Sequence, residues 1–296
     1  MKKITRALLF ALAFSLFIST SVQADQLDDG INAYNQGDYT TALRLLAPLA
    51  EQGQPRAQNA LGLMFNHGNG VSKNITEALK WYRKSADQGY AKAETNLGYL
   101  YENGQGVTQN YVEAANLFRK AADQGNALAQ VELGYLYEHG QGVPQDYDEA
   151  VNWYRKAADQ GDANAQNNLG SLYFNNIRQN CGFNFACAFK QLAISEDLFR
   201  KAAAQGLLRG KLNLGIQLSS DMFKANEAKQ LLKEVANSND PELARKAIAE
   251  LNKVQGHEAA VDQALTEQAE SDREFARQQQ ESLEFQQQMM DIINSK

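Results

Sequence analysis

The chain of 296 residues is poor in proline, cysteine, tryptophan and histidine, of which it contains four, two, two and three. Few prolines together with many Ala, Leu, Gln and Lys residues favour helix over strand. The two cysteines are not spaced as C-x-x-C, and no second pair of ligands accompanies them, which disfavours redox and zinc chemistry. No G-x-S-x-G or S-x-x-K motif is present, so the sequence gives no nucleophile motif.

A cluster of basic residues is also missing. The formal net charge is −6, and loss of the first 24 residues with their three cations would leave −9. An acidic chain without a basic cluster is poorly suited to nucleic acid or to attraction by anionic lipid. We therefore expect neither a nucleic-acid partner nor a general affinity for charged membranes.

Long apolar runs are absent beyond the N-terminus. Lys2, Lys3 and Arg6 precede the apolar run Ala7–Ile18, and small residues lead to Ala24. This pattern is typical of a secretory signal peptide and is too short to span a membrane comfortably. We expect cleavage after Ala24, a periplasmic or secreted location, and no transmembrane segment in the mature chain. Because no cysteine precedes residue 181, a lipoprotein anchor at the cleavage site is excluded.

One segment of 36 residues occurs twice in succession, as Ala91–Asn126 and Ala127–Asp162, with 24 identical positions. A further copy covers Pro55–Tyr90, and another begins at Ala163 and closes, after extra residues, at Gly206. Self-similarity at a fixed period indicates stacked supersecondary units, as in a solenoid.

Each copy predicts two helices. Ala93, Leu97, Leu100 and Tyr101 form one apolar stripe on the first helix. A glycine recurs beside this stripe although glycine destabilises a helix interior by about 1 kcal/mol. We therefore expect a close helix–helix approach at these glycines, which are Gly62, Gly98, Gly134, Gly170 and Gly215.

The string A-x-A-x-x-x-L-G-x-x-Y-x-x-G-x-G-V, followed by A-x-x-W/L-Y/F-R-K-A-A-x-Q-G, resembles the Sel-1-like repeat family, a relative of the tetratricopeptide repeat. The resemblance is specific across Pro55–Gly161, interrupted across Ala163–Gly206 and degenerate across Leu208–Asn239. It implies an all-α fold, an α/α superhelical solenoid, that binds other proteins.

Comparison of the copies divides the chain into five predicted parts. Residues 1–24 are the signal peptide, 25–54 a tetratricopeptide-like hairpin, and 55–207 four repeats with an insertion in the fourth. Residues 208–256 form a degenerate repeat and a terminal cap helix. Residues 257–296 are a Gln/Glu-rich tail, expected to be a marginal helix or disordered, because their apolar positions sustain no heptad.

The face of the first helices opposite the apolar stripe changes from copy to copy, as expected of a recognition surface. By resemblance to tetratricopeptide stacks, this face lines a concave groove. Tyr99 and Tyr135 would offer flat apolar area with a hydroxyl group, as binding hot spots do. The alternative is a solvated face that drifts neutrally. The candidate partner-binding residues are Lys92, Thr95, Tyr99, Glu102, Val131, Tyr135, Glu138, Asn167 and Ser171.

Other candidate sites have simpler structural interpretations. Cys181 and Cys187 form an even count in a secreted chain, and Gly182 can bend the segment so that they pair as a disulfide. The three Gly-x-Gly loops lack the preceding strand of a phosphate cradle and are predicted to be turns. His67 and His139 occupy the turn position of their copies, too far apart to share a metal ion.

The sequence thus predicts a periplasmic or secreted protein-interaction scaffold that binds a protein or peptide partner, without catalytic, metal or cofactor residues. A first alternative is a cell-wall-associated enzyme or binder. Some cysteine-rich secreted members of the family are linked to β-lactam binding or hydrolysis, but they carry a cysteine pair in most repeats, and this chain has one. A second alternative is a secreted factor that acts on a host protein.

Overall fold

The computed structural model describes residues 25–177, 181–221 and 223–294; for residues 257–258, 261–262, 264–265, 278–279 and 281–294 it describes the helical backbone alone. The expected signal peptide therefore lies outside the described residues. Throughout the described ranges the regular elements are α-helices, and no strand occurs among them. The prediction of an all-α fold is confirmed.

The chain divides into two compact units between Leu172 and Tyr173. The helices of the first unit are residues 25–35 (α1), Tyr39–Glu51 (α2), Pro55–His67 (α3), Ile75–Ala86 (α4), Ala91–Asn103 (α5), Tyr111–Asp123 (α6), Ala127–His139 (α7), Tyr147–Asp159 (α8) and Ala163–Asn175 (α9), whose last three residues lie in the second unit. Those of the second unit are Phe185–Ala204 (α10), Leu208–Leu218 (α11), Ala225–Ala236 (α12) and Pro241–Asn294 (α13).

Polar caps and glycines fix where the repeat helices begin and end. The Asn110 side chain accepts a hydrogen bond from the Glu113 backbone N–H (3.1 Å), and Asp146 accepts one from Glu149 (3.0 Å). Such caps satisfy donors that have no partner within the helix. After α5 the chain enters the left-handed region at Gly104 (φ 65°), which glycine adopts without steric cost.

The two helices of a repeat pack so closely that a side chain is excluded at the recurring glycine. A Cβ added to Gly98 would lie 2.6 Å from the Phe118 ring, and one added to Gly134 would lie 2.8 Å from the Tyr154 ring. Both rings are almost fully buried. The predicted close approach of helices at these glycines is therefore confirmed, and the opposing group is an aromatic ring of the second helix.

Polar bonds and close backbone contacts join consecutive repeats of the first unit. Arg83 Nη2 donates to the Tyr101 hydroxyl (2.9 Å), and Arg119 makes the corresponding bond to Tyr137. In the turn before α8, a Cβ at Gly142 would lie 2.2 Å from the Tyr111 carbonyl oxygen of the preceding repeat. The Gly-x-Gly loops thus serve as turns that let neighbouring repeats approach.

The second unit contains a core of its own. Phe199 of α10 packs with Leu214 of α11, while Leu232 and Val235 of α12 pack with Ala247 of α13. Ser195 donates a buried hydrogen bond to Gln217 (2.9 Å), which fixes the level of α10 against α11. The fifth repeat therefore keeps its helical hairpin although its sequence is degenerate.

The last helix covers the tail for which a marginal helix or disorder is expected. α13 begins at Pro241 and continues without a break through Gly256 to Asn294. Up to residue 254 it is anchored by the buried side chains Leu243, Ala247 and Val254. Beyond that point the described side chains are exposed. Helix propensity from Gln, Glu and Ala continues the helix where core contacts stop.

Candidate functional site

The candidate site lies on the first helices of the first unit. The nine predicted residues differ in how much of each side chain is exposed to solvent. Lys92 and Tyr135 are exposed, whereas Tyr99, Glu102, Glu138 and Ser171 are half-buried. Three residues are buried and do not form an accessible surface, namely Thr95, Val131 and Asn167. The name "first-helix face" is used below for Lys92, Tyr99, Glu102, Glu132, Tyr135 and Glu138.

Thr95, Val131 and Asn167 are buried because consecutive first helices meet along this edge. At the equivalent position of the preceding repeat, Asn59 accepts a hydrogen bond from Asn96 of the next first helix (2.9 Å). Thr95 is 3% exposed, and its hydroxyl donates a hydrogen bond to the Ala91 carbonyl oxygen one turn earlier (2.8 Å). These residues therefore serve packing between repeats, and we remove them from the candidate binding surface.

Tyr99 is held by two contacts that define its orientation. Its hydroxyl donates to Glu132 Oε1 on α7 (2.8 Å), and its ring meets the Phe118 ring edge-on with 5.3 Å between centroids. Sequence reasoning missed Glu132, which lies three residues before Tyr135 and so shares its helix face. That spacing was the available signal.

Tyr135 presents a more open ring. It is 38% exposed and stacks on His139 with 4.1 Å between ring centroids. The His139 Nδ1 atom lies 3.0 Å from the Tyr135 carbonyl oxygen, as Asn103 Nδ2 donates to the Tyr99 carbonyl oxygen in the preceding repeat (2.8 Å). The histidine is the last residue of α7, directly before the predicted turn, and it also supports the ring.

A second-helix tyrosine also reaches this face. The Tyr154 ring passes over Gly134, and its hydroxyl donates to Glu138 Oε2 (2.8 Å). The equivalent Tyr82 hydroxyl is buried without a hydrogen-bond partner among the described residues. Sequence reasoning missed Tyr154 because it treated the second helices as core only, although a glycine opposite an aromatic residue leaves a passage for the ring.

Carboxylates dominate the electrostatics of the first-helix face. Burial, reinforced by the nearby Glu132, raises the pKa of Glu102 to about 7. Burial also raises the pKa of Glu132, with a further contribution from Asp162 that is opposed by the bond from Tyr99. Within the described part of the chain, no ion pair joins Glu102, Glu132 or Glu138 to a lysine or arginine. The face is therefore suited to accept hydrogen bonds or a cation from outside.

The other features considered from the sequence are metal ligands, the cysteine pair and membrane spans. Among the described residues, no group of three or more His, Cys, Asp or Glu side chains is arranged to hold a metal ion. The sulfur atoms of Cys181 and Cys187 lie at disulfide distance, with 5.5 Å between their Cα atoms. No helix in the described ranges is both long and apolar enough to cross a bilayer.

Comparison with known proteins agrees with the repeat pattern. The Sel1 repeat model matches residues 55–90, 91–126, 127–162, 163–177 and 192–207. The crystal structure of a Sel1 repeat protein from Oxalobacter formigenes is 31% identical and has a TM-score of 0.62, and the match covers 77% of this chain and 96% of that one. None of the curated proteins matches the chain.

A second solved structure is a protective antigen present in uropathogenic Escherichia coli strains that displays an SLR fold. It is 30% identical with a TM-score of 0.59, and the match covers 78% of this chain. The chain spans about half of that protein, 53% of its length. Both likenesses support the solenoid architecture predicted from the repeats.

Proposed function

The chain belongs to the Sel1 repeat family, whose members generally serve as protein-interaction scaffolds, and we propose that it binds a basic segment of a partner protein on its first-helix face. The observation that carries this proposal is the set of carboxylates around Tyr99 and Tyr135 without an ion-pair partner among the described residues. Family members are typically non-catalytic, and the proposed role requires no catalytic group.

The chemistry of this face selects the class of partner. Glu102, Glu132 and Glu138 can accept hydrogen bonds from lysine or arginine, and charge-assisted bonds of this kind are stronger than neutral ones. Tyr135 provides flat apolar area beside them, which can stack on a guanidinium group. A segment that carries an arginine or a lysine next to an apolar side chain fits both features.

Binding to this face is expected to depend on pH. The pKa of Glu102 is raised to about 7, so its carboxyl group is mostly protonated near pH 6 and mostly charged near pH 8. Since a cation binds the charged form, affinity for a basic segment should rise by up to about tenfold across this range. The groups that face Glu102 and Glu132 are Tyr99, Tyr154 and Asp162.

We further propose that the protein works in the periplasm or outside the cell. The N-terminal signal pattern supports export, and the cysteine pair at disulfide distance suits an oxidising compartment. The partner would then be an envelope or extracellular protein. Its identity follows from capture rather than from the fold, because the repeat fold itself carries no partner-specific chemistry.

The test is affinity capture from an envelope extract of the encoding bacterium at pH 8, read by quantitative mass spectrometry. Two variants address the site: Glu102→Gln with Glu132→Gln, and Tyr135→Ala. A matched control is Asn116→Ala, an exposed position on the second helix α6. We expect a protein that the wild type and the control retain, and that each site variant retains about tenfold less.

Elution provides a second readout. The captured protein should be released from the wild type on lowering the pH to about 6, which protonates Glu102. A protein retained equally by the wild type and both site variants would place recognition elsewhere and contradict the proposal. Unchanged far-ultraviolet circular dichroism of each variant ensures that a loss of capture does not reflect unfolding.

A further inference from the structure

The second unit carries a protrusion at the insertion of the fourth repeat. The match to the Sel1 repeat stops at residue 177 and resumes at residue 192, so the intervening segment is an addition to the repeat. Within it, Cys181 and Cys187 close a turn, and Asn184 caps the start of α10 by accepting from the Cys187 backbone N–H (3.1 Å). The name "aromatic tip" is used for residues 181–190.

The aromatic tip projects beyond its neighbouring helix. α11 ends at Leu218, and the adjacent Gln217 side chain donates to the Leu192 carbonyl oxygen of α10 (2.8 Å). Seven residues of α10 precede Leu192, back to Phe185. At 1.5 Å per residue this first part of α10 extends about 10 Å past the end of α11.

The tip exposes phenylalanine to an unusual degree. Phe183 is 98% exposed, Phe185 76% and Phe189 69%, whereas Phe118 and Phe199 are fully buried in their cores. Phe185 and Phe189 lie one helical turn apart and therefore share a face of α10. Three such rings present several hundred Å² of apolar surface, comparable to the patches that mark interaction sites.

The charge around the tip differs from that of the whole chain. Between Asp162 and Glu196 the sequence contains no acidic residue, while Arg178 and Lys190 are basic. The chain as a whole has a net charge of −6. Of the acidic residues that follow, Glu196 pairs with Arg200 and Lys224, and Asp221 lies after α11. A projection of about 10 Å equals about one Debye length at 0.1 M salt, so salt weakens the repulsion between more distant acidic residues and an anionic surface.

We propose that the aromatic tip inserts its three phenylalanine rings into the interface of an anionic phospholipid bilayer, with Lys190 contacting lipid phosphate. A fluid interface accommodates exposed rings without preformed pockets, and a segment that carries Lys190 and contains no acidic residue suits its headgroup boundary. A protein partner would instead need a preformed apolar groove that matches the tip. The cysteine pair would keep the turn closed during insertion.

This attachment uses residues of the second unit and none of the first-helix face. It also differs from a transmembrane anchor, since only side chains of one turn and the start of one helix enter the interface. Contact of this size is weak and reversible, because single short insertions give marginal membrane binding. The protein would therefore sample the membrane surface rather than remain on it.

The test is co-sedimentation of the exported, oxidised protein with vesicles of phosphatidylcholine containing phosphatidylglycerol, and with phosphatidylcholine vesicles alone. Intact mass ensures that all variants share one N-terminus. We expect binding to the anionic vesicles, and a loss of about tenfold or more when Phe183, Phe185 and Phe189 are changed to serine. Lys190→Glu should also weaken binding to anionic vesicles while the rings remain.

The matched control is Leu128→Ser, an exposed apolar side chain on α7 in the first unit, which should bind like the wild type. Three outcomes would overturn the proposal: no binding of the wild type to anionic vesicles, equal binding of the triple variant, or equal binding to phosphatidylcholine alone. The first two outcomes would mean that the rings serve another contact, such as a protein pocket, and the third would mean that Lys190 does not select an anionic headgroup. Circular dichroism and thiol titration verify that the variants are folded and oxidised.

Discussion

Glu94 shows how one residue departs from the pattern of its repeats. The other three of the four repeats in residues 55–207 carry glutamine here. Gln58 Nε2 donates to the Ala50 carbonyl oxygen of the preceding repeat (3.1 Å), as Gln130 does to Ala122 (3.0 Å). A charged carboxylate cannot donate this bond. Glu94 is nevertheless 3% exposed. Burial raises its pKa, although Lys120 and the bond from Gln124 oppose the shift.

We predict that Glu94→Gln stabilises the protein at pH 8. Because the folded-state pKa of Glu94 is raised, its contribution to stability is full below its unfolded pKa and is lost as pH rises through the folded pKa. Glutamine restores the donor at every pH, a gain of about 1–2 kcal/mol. Thermal melts should show a higher Tm for the variant at pH 8 and a smaller difference at pH 5.

The reverse substitution is the control for this prediction. Gln130→Glu, in the next repeat, should introduce the same pH-dependent loss, since Gln130 makes the equivalent bond and also accepts from Gln160 (2.7 Å). If Glu94→Gln lowers Tm at pH 8, the carboxylate is better satisfied than the repeat comparison indicates, and the interpretation is wrong.

The sequence predicted burial correctly for side chains whose surroundings depend on one helical hairpin. It failed for side chains that a neighbouring repeat covers. The helical period placed Ala93, Leu97 and Leu100 in the core, and they are buried. Thr95 and Val131 lie on the opposite side of a single helix but are covered by the neighbouring repeat. A helical wheel contains no information about that neighbour, so the candidate face was too wide.

At the scale of the helix, the recurring glycine alone predicts a close approach between helices. A residue that destabilises a helix in every copy must be retained for space, and the structure places Tyr154 and Phe118 rings in that space. What the sequence could not specify is the direction of the ring. Only the structure shows that Tyr154 continues past Gly134 to reach Glu138.

We predict that Gly134→Leu destabilises the first unit by about 1–3 kcal/mol, because overpacking forces side chains and backbone to shift. Here even a Cβ atom would lie 2.8 Å from two carbons of the Tyr154 ring. Tyr135→Leu, at the exposed neighbouring position, is the control and should melt close to the wild type. A Gly134→Leu variant that melts like the wild type would mean that α7 and α8 do not pack as described.

For the whole molecule, the repeats explain both what was predictable and what was not. Repetition revealed the all-α solenoid because each copy supports the same helices, and stacking then follows from their apolar stripes. The insertion of the fourth repeat has no second copy in the chain. The exposure of Phe183 and the projection of the aromatic tip therefore could not be predicted from self-similarity and required the structure.

Export should cause two covalent changes, signal-peptide cleavage and disulfide formation, and mass spectrometry can detect both. Cleavage after Ala24 would start the mature chain at Asp25 and would remove Lys2, Lys3 and Arg6. Oxidation would make the protein two hydrogens lighter, and closure of the seven-residue loop from Cys181 to Cys187 is worth about 2 kcal/mol in the chain-entropy model. The intact mass should show the cleavage. Trypsin can cut after Arg178 and Lys190, so a single peptide that resists alkylation should show the disulfide. A retained Met1, or alkylated cysteines in that peptide, would contradict export into an oxidising compartment.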